Sequence, residues 1–122
     1  MDYAEKLERA KGSYPFERWE KSAACGLEQY TPENCARMRR IFDELIAEMI
    51  AKGADATEAE KIESFKKAIE ATNKMDEEIG GLIETGERED LCELTNVVTI
   101  AAGLDPQKYG DGEGLASAWR EW

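Results

Sequence analysis

The 122-residue sequence contains no histidine. That absence excludes Ser-His-Asp and Cys-His catalysis, ordinary zinc sites with imidazole ligands, and an imidazole switch near neutral pH. Cysteine is scarce and odd in number. Cys25, Cys35 and Cys92 form no Cys-x-x-Cys pair, so a disulfide framework is not expected and a reducing cytoplasm is the expected home. Valine is confined to Val97 and Val98, while Ala, Glu, Lys, Leu and Met abound, a skew that favours helix over strand. No apolar run approaches a membrane span, and no apolar stretch follows a basic start, so neither a membrane helix nor a signal peptide is expected. No Gly-rich loop precedes a Lys-Ser or Lys-Thr pair, which leaves phosphate cradling without support.

What the sequence has in excess is acid. Twenty-seven Asp and Glu residues against 16 Lys and Arg give a net charge of −11. Such a chain is repelled by nucleic-acid backbones and anionic membranes, and its natural complement is a basic protein or a cation. The length gives room for one domain with a real core.

Helical periodicity runs through most of the chain. A first helix is expected over Asp2 to Lys11 and a second over Pro15 to Gln29, with Phe16, Trp19, Ala23 and Leu27 on one face. Thr31-Pro32-Glu33 is a helix start, with a hydroxyl cap, proline in the first turn and an acid behind it. That helix reaches Lys52 and stops at Gly53. Asp55-Ala56-Thr57-Glu58 starts a fourth helix, in which Ile62, Phe65, Ile69, Thr72 and Met75 share a face before Gly80-Gly81 breaks it. Thr85 opens a fifth, ending near Gly103. The expected fold is an all-α, up-and-down bundle of four to five helices over residues 1–108. A glycine-rich tail, 109–122, carries Trp119 and Trp122. The two tryptophans are read either as anchors that dock the tail on its own bundle or as contacts for another chain, a second copy included.

The excess charge is concentrated. Residues 76–93 hold eight acids (Asp76, Glu77, Glu78, Glu84, Glu87, Glu89, Asp90, Glu93) against Arg88 alone, a balance of −7. Acids from Glu87 onward suit the N-terminus of the helix they start. Asp76, Glu77 and Glu78 sit where a helix ends and the dipole disfavours anions, a local conflict expected at functional sites. Leu82-Ile83 lies inside this stretch, either as an apolar centre within a charged rim or as a connector tucked into the core.

Glu60 and Glu63, then Glu87 and Asp90, form an ExxE…ExxD pattern on successive helices. It resembles the magnesium-binding motif of all-α nucleoside-triphosphate pyrophosphatases, and the resemblance implies a Mg-dependent hydrolase with those four carboxylates around the cation. With 27 acids in 122 residues, however, acid-x-x-acid pairs arise by chance roughly half a dozen times. Asp111 and Glu113 between glycines fail as a calcium loop, because Ala116 stands where the bidentate acid belongs. The three cysteines read as structural thiols, Cys92 because the acids around it oppose the effect of the helix N-terminus. Finally, Glu84-Thr-Gly-Glu-Arg-Glu-Asp-Leu-Cys-Glu, Ala101-Ala-Gly-Leu-Asp-Pro, Tyr109-Gly-Asp-Gly and the closing Trp-Arg-Glu-Trp resemble a family of small bacterial helical proteins of unknown function. The resemblance covers about the last forty residues and implies a bacterial, cytoplasmic helical domain without assigning site residues.

The expected function is therefore non-enzymatic: an immunity- or antitoxin-like domain that binds a basic protein through Asp76, Glu77, Glu78, Glu84, Glu87 and Glu89. It needs no cofactor, binds neither nucleic acid nor membrane, and is a monomer or homodimer. The alternative is the Mg-dependent hydrolase using Glu60, Glu63, Glu87 and Asp90.

Overall fold

Side-chain caps set where the helices begin. In the computed structural model, which describes residues 2–23, 26 and 28–122, the Asp2 carboxylate accepts the Glu5 N–H at 2.8 Å and starts α1 (Tyr3–Ala10). The Thr31 hydroxyl accepts the Asn34 N–H at 3.0 Å to start α3 (Pro32–Lys52), and Thr57 accepts from Glu60 at 3.1 Å to start α4 (Glu58–Ile79). Each satisfies an N–H that has no partner within the helix. Both long helices stop on glycine, at Gly53 with φ 84° and at Gly80 with φ 75°. Between α1 and α3 lies α2 (Phe16–Ala23), and α5 (Thr85–Ala101) and α6 (Leu115–Trp119) complete the chain. No strand occurs among the described residues, and the protein is an all-α helical bundle.

One helix is shorter than expected. The second was expected to run to Gln29, but α2 ends at Ala23, and Glu28 and Gln29 lie in a turn. Gly26 has φ 114°, a conformation no right-handed helix contains. Leu27, placed in that helix by its spacing, lies outside the described residues.

The helices close into a ring. α1 packs on α3 and α5, α3 on α2 and α4, and α6 bridges α4 and α5. α3 and α4 are antiparallel: Lys52 at the end of one reaches Ser64 near the start of the other (2.7 Å), and Arg37 pairs with Glu78 at the opposite end (3.1 Å). A single core of Leu7, Phe16, Trp19, Phe42, Phe65, Leu91 and Leu115 fills the ring. Each of these side chains contributes about 1.5–3 kcal/mol when fully buried.

The tail is part of that ring. Leu115 and Ala116 are buried, and the Asn73 side chain on α4 donates to the Trp119 carbonyl (3.0 Å) while accepting the Glu121 N–H (2.9 Å). The Trp122 indole N–H donates to the Thr72 hydroxyl at 3.0 Å. Thus both tryptophans pack on their own bundle, half-buried against its core. The tail glycines serve close approach: a Cβ on Gly114, which has φ 115°, would fall 2.1 Å from Asn96 Oδ1.

One buried cation ties three elements together. Lys61 is only 6% exposed, and its ammonium donates to the carbonyls of Ala54 (3.0 Å) and Ala102 (2.9 Å). It also lies 5.1 Å from the centre of the Tyr3 ring. Ala102 caps the C-terminus of α5, where the helix dipole favours a positive charge. This contact also places the start of α4 beside the end of α5.

Candidate functional site

The acidic stretch begins at the last turn of α4 and passes through a short connector into α5. The connector turns on Gly80 and Gly81, both with positive φ, and inserts Leu82, which is 1% exposed. Buried backbone groups need partners, and two side chains supply them here. The Tyr30 hydroxyl donates to the Leu82 carbonyl, and Asp76 Oδ1 accepts the Ile83 N–H at 2.8 Å. Burial first, and the nearby Glu87 carboxylate second, push the Tyr30 hydroxyl above its ordinary range, which keeps it a donor. Leu82 and Ile83 therefore belong to the connector's packing, with Ile83 partly buried against the core.

This geometry separates acids with structural partners from acids without. Asp76 holds the connector. Glu78 pairs with Arg37. Asp90 accepts from the Trp19 indole at 2.9 Å and from Arg18 at 2.8 Å, joining α5 to α2. Glu87 is half-buried beside Tyr30. Glu77, Glu84, Glu89 and Glu93 are exposed, and among the described contacts their carboxylates make no hydrogen bond or ion pair. The helix-ending acids of the sequence reading thus split: two of the three have intramolecular partners, and Glu77 is left to the solvent.

The ExxE…ExxD carboxylates are not brought together. Lys61, between Glu60 and Glu63, sits against Ala102 at the end of α5. Glu87 and Asp90 lie near that helix's start, about 18–22 Å away along the axis at 1.5 Å per residue. A hard cation needs its oxygens at about 2–2.6 Å. Among the described residues no group of three or more His, Cys, Asp or Glu is placed to hold a metal ion. The physical reason is the antiparallel course of α4 and α5, which sends the two acid pairs to opposite ends.

Two polar clusters escaped the sequence reading. On the α3–α4 face, Ser64 Oγ accepts from Lys52 Nζ at 2.7 Å and donates to Glu48 at 3.3 Å, beneath an open groove that Lys67 also lines. A serine beside a lysine suggests nucleophilic chemistry. Here, however, Lys52 also donates to the Glu60 carbonyl, and Ser64 lies within a helix whose N–H groups are already bonded. These bonds make the cluster a clamp between α3 and α4. The second cluster is a groove of Arg37, Arg40 and Lys74 over Ile41 and Ala71, net positive although Glu78 also lines it. Its sequence signal was the run Arg37-Met38-Arg39-Arg40.

The two described thiols, Cys35 and Cys92, offer no reactive centre. Burial pushes Cys35 up to about 11, and Cys92 is raised chiefly by burial, with Arg120 and Arg88 opposing. Cys25 lies outside the described residues. No family model, curated protein or solved structure matches the chain. Among the described residues, no helix is long and apolar enough to cross a membrane.

Proposed function

We propose that the chain is a non-enzymatic protein-binding domain that receives a basic partner on its acidic corner, in the manner of immunity proteins and antitoxins. One observation carries this reading. After the acids with intramolecular partners are set aside, Glu77 and Glu84 near the connector held by Tyr30 and Asp76, and Glu89 and Glu93 farther along α5, remain exposed with no hydrogen bond or ion pair among the described contacts. Glu89 and Glu93 are one helical turn apart and share a face. A fixed patch of one sign steers an oppositely charged protein and accelerates encounter. A bacterial cytoplasmic setting, suggested by the C-terminal phrasing, fits the same reading.

The test is affinity capture from a bacterial lysate at low salt, with the wild-type chain and a Glu77→Lys, Glu84→Lys, Glu89→Lys, Glu93→Lys variant immobilised in parallel. The basic protein held by the wild type is expected to be lost from the variant and eluted by salt. Retention of every partner by the variant would sink the proposal.

A further inference from the structure

The strongest charge anomaly outside the acidic patch is the groove of Arg37, Arg40 and Lys74. In a chain of net charge −11, it is a positive island, and only Arg37 has a carboxylate partner among the described contacts. Its place matters more than its sign. Lys74 and Glu78 lie one turn apart on α4, Glu77 lies between them in sequence, and the connector bearing Glu84 follows at once. The Arg37–Glu78 pair, 3.1 Å apart and about half exposed on both sides, is where the positive groove meets the negative corner.

A surface with adjoining positive and negative halves is self-complementary under a two-fold axis that lies along their boundary. Rotation about that axis sets each half on its opposite, the isologous arrangement of a C2 dimer. We propose that a second copy of this chain docks here, with Arg40 and Lys74 of each protomer facing Glu77 and Glu84 of the other. Partly exposed Ile41 and Ala71 supply an apolar floor to the contact. The inference shares its acidic residues with the proposed function but does not depend on it. In the dimer the corner is covered, so a basic partner competes with the second copy.

Two copies at −11 repel one another at long range, and this sets a signature. At about 0.15 M salt the Debye length is about 8 Å, so body-to-body repulsion is screened while contact pairs are not. Association should strengthen from about 0.01 to 0.15 M salt and weaken towards 1 M.

The experiment is sedimentation equilibrium on the full chain and two charge-swapped variants, with helicity and melting temperature recorded as folding controls. The first variant carries Arg40→Glu and Lys74→Glu, the second Glu77→Lys and Glu84→Lys. Alone, each brings like charges together, and its dimer dissociation constant is expected to rise about tenfold or more. Mixed, the two restore opposite charges in both halves, and a heterodimer should form with about wild-type affinity. The second variant is four units less negative than −11, at −7, so net charge alone would make it the better dimer. A wild-type chain that stays monomeric at about millimolar concentration at every salt overturns the inference. So does a second variant that dimerises as well as the wild type, or a mixture no tighter than its components. None of these outcomes bears on capture of a basic partner, which is read in the lysate experiment.

Discussion

Lys61 gives the sharpest test of how this bundle is held. Among the described contacts its buried ammonium has no carboxylate partner and is bonded instead to two carbonyls at 3.0 and 2.9 Å and set over the Tyr3 ring. Lys61→Met keeps most of the stem's volume and removes only the charged head. A hydrogen bond to a charged group contributes about 1.5–3 kcal/mol when its loss leaves the partner unsatisfied. Two such bonds set an upper range of about 3–6 kcal/mol. Part is returned, because the mutant no longer desolvates an ammonium. A net loss of about 2–3 kcal/mol is expected, which lowers the melting temperature by about 8–12 °C for a chain of this size.

Urea denaturation of the wild type, Lys61→Met and Lys61→Ala measures this directly. Lys61→Ala should cost more, since it also removes the buried stem. Pairing Lys61→Met with Tyr3→Leu in a double-mutant cycle isolates the ring contact, with an expected coupling of about 0.5–1 kcal/mol. If Lys61→Met lies within about 0.5 kcal/mol of wild type, or above it, the carbonyl bonds do no more than offset desolvation, and the reasoning fails.

Asp76 should behave as a backbone acceptor rather than as a charge. Asp76→Ala is expected to cost about 1–2 kcal/mol and to speed hydrogen exchange at the Ile83 amide, whereas Asp76→Asn, which keeps an acceptor oxygen, should cost less than half of that. Equal losses in the two variants would refute the acceptor role. At alkaline pH, burial raises the Cys35 thiol from an ordinary 9.0 to about 11, and burial followed by the Asp43 hydrogen bond raises Tyr14 further. The folded chain therefore holds protons that the unfolded chain releases. The sign is fixed by linkage: this stabilisation is complete below about pH 9 and is lost as pH rises towards 11. Unfolding free energy should fall across that window, and Cys35→Ala should flatten the fall. A wild-type profile that is level or rising there would contradict the assignment.

How much of this was legible in the sequence depended on whether the information was local. α3 and α4 could be read because their ends are written in a few adjacent residues, Thr31-Pro32 and Gly53 for one, Thr57 and Gly80 for the other. α2 was overextended because the helix-favouring residues after Ser22 outweighed a single glycine, and the positive φ of Gly26 decides the matter. The role of α6 was hidden for another reason. Five residues, Leu115–Trp119, are too few to show a period, and their work of bridging α4 and α5 depends on helices far away in sequence.

Lys61 stands between these cases. It falls in the register of Phe65, Ala68, Thr72 and Met75, all buried on one face of α4. A lysine in a core register is a readable anomaly, although the carbonyls that satisfy it come from tertiary structure. The acidic stretch follows the same logic. Asp76 looked functional because it opposed the dipole of its own helix, yet its acceptor is needed by an N–H seven residues on. Glu77, next to it, has no such use. The local conflict falls on a turn whose acids differ in use, and only the hydrogen-bond accounting of the connector distinguishes Asp76, which holds the fold, from Glu77, which is left to the solvent.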